Sequence, residues 1–128
     1  MYWGQLHPRF DLGGNIINLP PCMGDPARQI RIEEVNRNFE NVNRIIVPEF
    51  LGYRITFYLN YDFLEDLDMA NVIDILNYTG DILLYPWADV AQSYDVISES
   101  PEINMLYFQD SANLRFKTKN LIQTLYKP

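Results

Sequence analysis

"GYRITFYLNYDF", residues 52–63, decides the fold. Tyr53, Ile55, Phe57, Leu59 and Tyr61 fall on every second position, and Arg54, Thr56, Tyr58 and Asn60 fill the gaps. A period of two puts the first set on one face and the second on the other, which predicts a β-strand with one apolar side. Directly after it the period changes. In "LEDLDMANVIDILNYTG" Met69, Val72, Ile73 and Leu76 share one helical face while Asp68, Asn71, Asp74 and Asn77 share another. That spacing predicts a single amphipathic helix over about residues 65–78. Glu65, Asp66 and Asp68 suit the positive end of its dipole, and Gly80 stops it.

Working outward, "QIRIEEV" alternates from Gln29, "NRNFENVN" is an Asn-rich connection around Phe39, and "RIIVPEF" runs back. The pattern predicts a long hairpin with a polar tip. Pro48 has no amide to donate, so the returning strand is expected at an edge or bulged there. Downstream, "DILLYPW", "YDVISE", "INMLYF" and "NLRFKTK" read as short strands, and "NLIQTLY" fits a strand or a helix, the strand being the preferred reading. About seven strands and one helix imply a mainly β (α+β) fold: an antiparallel β-sandwich or barrel with one flanking helix.

Residues 1–28 hold four of the six glycines and four of the eight prolines. Such punctuation excludes a long helix or a central strand. Tyr2, Trp3, Leu6, Phe10 and Leu12 are nevertheless too apolar to prefer water. The expectation is an extended N-terminal arm at 1–28 lying on a surface, followed by one β-sandwich domain at 29–128.

The net charge of -7 argues against general nucleic-acid binding, which needs clustered Lys and Arg. Its distribution is uneven. Residues 1–54 carry six Arg and six acids, residues 55–114 eleven acids and no base, and residues 115–128 four bases and no acid. Two explanations are open: the C-terminal strand neutralises neighbours within its own fold, or the basic end of one subunit meets the acidic body of the next. No stretch approaches the roughly 20 apolar residues that span a bilayer, and the first residues lack the basic start and apolar core of a signal peptide. A protein that stays where it is made, with no membrane partner, is therefore expected.

Catalytic chemistry finds little to stand on. His7 is the only histidine and Cys22 the only cysteine, too few for a triad or a zinc site. No phosphate-binding glycine loop or nucleophile elbow occurs. The acids Asp62, Glu65, Asp66 and Asp68 lack the loop of a calcium-binding EF-hand and belong mostly to a helix start. No catalytic residue, cofactor or metal is expected. Trp3, Trp87, Tyr58, Tyr78, Tyr85 and Tyr94 offer surfaces that stack on sugars, so a carbohydrate-binding β-sandwich module is the alternative reading.

The run from Gly52 to Asp89 resembles the tail-tube and distal-tail type proteins of long-tailed bacteriophages. The likeness rests on a long hairpin, a strand opening on Gly52 and Arg54, the alternation from Ile55 to Tyr61, the helix around Val72 and Leu76, and the run Ile82 to Asp89 ending in an aromatic-Pro-x-x-Asp turn. The resemblance implies a structural subunit of a tail tube, distal-tail ring or neck. Such subunits close into rings, usually hexamers, alongside other tail or neck proteins, with DNA only as passing cargo. The site would be a virion assembled in the bacterial cytoplasm. In that frame the contacts between subunits are expected at Trp3 and Phe10 in the arm, at Arg37 and Phe39 on the hairpin, and at Arg115, Lys117 and Lys119 in the basic end. Deleting residues 1–20 is then expected to weaken rings while leaving the domain folded.

Overall fold

The computed structural model describes residues 6–23, 29–40, 42–105 and 109–126. The strands are β1 (Arg9–Leu12), β2 (Asn15–Asn18), β3 (Ile30–Glu40), β4 (Ile46–Leu64), β5 (Ile82–Tyr85), β6 (Tyr94–Ser98), β7 (Glu102–Met105) and β8 (Asp110–Thr118), with one helix, α1 (Asp66–Asn77), between β4 and β5. All form one antiparallel eight-stranded sheet in the order β2-β1-β5-β6-β8-β4-β3, with β7 paired to β8 beside β6. The sheet is open, because its terminal strands β2 and β3 do not pair. The fold is mainly β and sandwich-like rather than a closed barrel.

Curling makes one core out of one sheet. Phe10 on β1 and Phe116 on β8 are three strands apart in the order, about 14 Å on a flat sheet at the usual spacing. Their rings instead sit 5.1 Å apart. Phe57 on β4 and Tyr94 on β6 likewise meet at 5.3 Å. The β1–β2–β5 flank is therefore folded over β8 and β4. Ile55, Phe57, Leu59 and Tyr61, on the odd-numbered face of β4, are buried there together with Leu114 and Phe116. Helix α1 adds Met69, Val72 and Ile75, with Ile73 and Leu76 at the margin. The helix thus falls where the periodicity places it, with its apolar stripe turned slightly toward Ile75.

The N-terminal segment is not an arm over its described length. Leu6, Phe10, Leu12, Ile17, Leu19 and Cys22 are all buried in the chain's own core. Gly13 and Gly14 both take positive φ, 66° and 102°, and so close β1 onto β2 in a two-residue hairpin, with Asp11 Oδ1 accepting from the Gly14 amide at 2.7 Å. β1 then pairs on its other side with β5, so it is an interior strand after all. Four residues fit between the glycines and prolines without breaking their rules. Beyond β2 the chain is stitched to Leu6 and to β4: the Cys22 amide donates to Leu6 O, the Met23 amide to Asn60 O, and the Tyr61 hydroxyl to Pro20 O at 2.7 Å. Gln29 is buried, and its Oε1 accepts from the Leu6 amide at 2.8 Å, which offsets the burial of the oxygen, while its buried Nε2 has no hydrogen-bond partner.

Two further expectations change. The returning arm of the hairpin and the opening strand are one continuous strand of 19 residues. Gly52 does not end a strand; it sits at a bulge where Val35 pairs with Gly52 and Asn36 with Phe50, leaving Leu51 over. Its φ of 146° lies in the range that favours glycine, and a Cβ there would stand 2.8 Å from Leu121 Cβ. The close neighbour is the C-terminal segment, which the sequence suggested as a strand. It contributes only a bridge, with Tyr53 N donating to Ile122 O at 2.8 Å and Ile122 N to Tyr53 O at 2.9 Å.

Candidate assembly surface

β4 is far longer than the core it serves. β8 pairs with it from Thr56 to Leu64, and the Ile122 bridge covers Tyr53. Below that level β3 is the one strand beside it among the described residues, paired from Glu34 opposite Tyr53 to Glu40 opposite Ile46, while Gln123 Nε2 donates to Leu51 O at 2.8 Å next to the bulge. At about 3.3 Å per residue this two-stranded stretch projects roughly 20 Å. Pro48 lies in it opposite Asn38, and no named strand pairs with β4 on its other side there, as a residue without an amide donor prefers. Arg44 closes the tip in a left-handed conformation at φ 59°.

The bulge decides which side chains face where. Above it the odd-numbered residues of β4 point to the core; below it the extra residue shifts parity, so Phe50 and Tyr53 come to one face with their rings 5.0 Å apart. Ile46, paired with Glu40, shares that face with Phe50, whereas Phe39 and Val47 form a pair on the opposite one. Apolar side chains therefore occupy both faces of the projection. Phe39 is 49% exposed, Phe50 44%, Ile46 67% and Val42, at the tip, 97%.

Of the residues expected to carry contacts, Phe10 is overturned: its side chain is fully buried against Phe116, so it holds the fold together and cannot reach a neighbour. Trp3 lies outside the described residues. Arg37 and Phe39 are exposed, but within β3 rather than in a loop, and Arg37 Nε donates to Glu49 at 3.0 Å across the ladder. The basic end is spread over the sheet's outer face. Lys117 reaches Glu99 at 3.4 Å, Lys119 reaches Asp81 at 2.9 Å, and the Arg115 guanidinium lies 5.2 Å over the Tyr58 ring. Two of the three are thus neutralised within their own fold. Asp81 raises the Lys119 pKa through that hydrogen bond and its charge.

What the sequence reading missed is a polar cavity of about 200 Å³ on this outer face. Register gathers it: Arg31 pairs with Thr56, Thr56 with Lys117, Tyr58 with Arg115, and Glu33 with Arg54. The bases flanking the acidic block of the sequence, Arg54 before it and Arg115 after it, meet here. Their position on the polar side of alternating strands was legible; their convergence required the strand order.

Of the aromatic residues of the sugar-binding alternative, Trp87 and Tyr94 are buried, Tyr58, Tyr78 and Tyr85 are half-buried, and Trp3 lies outside the described residues. Trp87 is buried, with the Tyr126 ring 5.9 Å away, and Tyr85 lies under the Arg9 guanidinium at 4.2 Å. His7 hydrogen-bonds through its backbone to Pro86 O at 2.9 Å. Among the described residues no group of three or more His, Cys, Asp or Glu side chains is placed to hold a metal ion, and no helix is long and apolar enough to cross a membrane. No protein-family model matches the sequence, and no curated protein matches it significantly.

Proposed function

We propose that this protein is a non-enzymatic structural subunit that assembles with copies of itself through the β3–β4 hairpin, as the tail-tube and distal-tail proteins it resembles do. One observation carries the reading: a two-stranded projection with apolar residues on both faces. A lone two-stranded hairpin is marginal in water, and a hairpin serving only its own core needs one apolar face. Phe39 and Val47 on one side with Ile46 and Phe50 on the other suit an element held between two neighbours. The free edge of β3, eleven residues long, carries Arg31, Glu33, Glu34, Arg37 and Glu40, which guard against indiscriminate strand addition.

In this role the chain is a ring or tube component of a phage tail, a distal-tail ring or a neck. The acidic block at residues 55–114 keeps passing DNA from adhering. Sedimentation velocity and negative-stain microscopy of the full chain test it. Rings or higher assemblies are expected at high concentration, and the double variant Val42→Asp, Ile46→Asp should be a folded monomer. A wild type that stays monomeric at its highest soluble concentration removes the reading.

A further inference from the structure

We infer that the Arg54–Arg115 cavity receives the acidic start of α1 from a second copy of this chain, a contact that rests on the assembly reading and names where the second half of the interface lies. Four bases line the cavity. Glu33 satisfies Arg31 at 2.8 Å and Glu99 satisfies Lys117 at 3.4 Å, which leaves the charges of Arg54 and Arg115 uncompensated by any salt bridge among the described residues. Arg54 Nε is sealed from solvent without a hydrogen-bond acceptor. Both guanidinium groups line the cavity, and a guanidinium without a salt-bridge partner suits a carboxylate, which accepts two parallel N–H bonds from its open nitrogens. A protein of net charge -7 has an unusual concentration of positive charge here, and abundant carboxylates elsewhere to meet it.

The start of α1 is the fitting partner. Glu65, at the N-cap, makes no side-chain capping bond, and Asp66 follows in the first turn; both are exposed. Phe63 and Leu67 flank them, 50% and 73% exposed, so the carboxylates stand in an apolar knob that gains from leaving water. The two surfaces cannot meet within one molecule. Arg54 and Leu64 lie on the same strand β4, ten residues and roughly 30 Å apart. A contact between two different surfaces of identical chains is head-to-tail, the kind that propagates into rings or filaments.

A charge swap in the full chain tests this. Arg54→Glu and Asp66→Arg should each weaken self-association about tenfold or more by sedimentation, and the double variant should recover most of that loss. Arg115→Glu supplies a second pocket variant should Arg54→Glu fail to fold, and circular dichroism establishes folding in each. Single variants that associate as tightly as the wild type overturn the pairing, as does a double variant no better than the worse single. Either result leaves the hairpin reading intact if the hairpin variant still fails to assemble; a wild type that never associates overturns both.

Discussion

The N-terminal segment and the β3–β4 hairpin look alike in sequence: each mixes large apolar side chains with residues that break regular structure. The fold treats them oppositely. The first is drawn inward until Phe10, Leu6 and Cys22 are fully buried, while the second is pushed outward until Val42 is almost wholly exposed. Hydrogen bonding rather than hydrophobicity makes the difference. The Gly13–Gly14 turn lets residues 9–18 form two short strands, one of them paired on both sides, so their backbone is satisfied inside the molecule. The hairpin pairs its backbone only strand against strand, which leaves the outward-pointing amides and carbonyls of both strands to solvent or to a neighbour, since nothing in the sheet order lies beside it.

The largest expected effect sharpens that contrast at its inner end. Phe10→Ala removes a ring wedged against Phe116 and should lower unfolding stability by roughly 3–5 kcal/mol, much of the 5–15 kcal/mol a domain of this kind possesses. Urea unfolding followed by circular dichroism measures it. Truncation of residues 1–20 should abolish cooperative unfolding altogether, the reverse of what an arm implies. A truncated chain that melts cooperatively with unchanged midpoint would break the comparison.

Regular periodicity was legible wherever a single element buried one face. β4 above the bulge and α1 both fall where the alternation and the helical spacing put them, because Ile55, Phe57, Met69 and Val72 face one core. Phe10 was misread because a segment dense in Gly and Pro suggests surface, whereas four residues suffice for a strand once two positive-φ glycines close the turn. Gly52 was misread as a strand start for a related reason. The shift from Pro48 and Phe50 to Tyr53 and Ile55 is a change of parity, and a glycine at a parity change marks a bulge. The outer cavity was out of reach, since Arg31, Arg54 and Arg115 become neighbours only through cross-strand register.

A second prediction tests the inward segment through its thiol. Cys22 lies within 3.5 Å of the Tyr61 hydroxyl, and burial, partly offset by that hydrogen bond, pushes its pKa from the ordinary 9 up to about 12. Burial raises the Tyr61 hydroxyl as well. Between pH 9 and 12 the folded chain then holds a proton that the unfolded chain has lost. Stability is therefore full below about pH 9 and falls as pH rises, by up to about 1.4 kcal/mol per pH unit from this one group. Urea midpoints at pH 8 and pH 10 should show the fall in the wild type and less of it in Cys22→Ala. A thiol that reacts with aromatic disulfide reagents at pH 8 as fast as free cysteine would place the segment in solvent instead.

The smallest expected effect lies at the outer end of the comparison. Val42→Ser exchanges an apolar side chain for a polar one at a position 97% exposed, where the folded and unfolded chains offer it nearly the same water. Monomer stability should move by no more than about 0.5 kcal/mol, a fraction of the Phe10 effect. Burial is what converts an apolar side chain into stability, so a null result in dilute solution is expected of a side chain that meets nothing in its own fold. On the proposed assembly the same substitution should cost most where chains are crowded enough to associate, and equal effects in dilute and concentrated solution would count against a hairpin contact. A drop of several kcal/mol in the isolated monomer would mean that the tip bends back onto its own sheet, and would make the two regions alike after all.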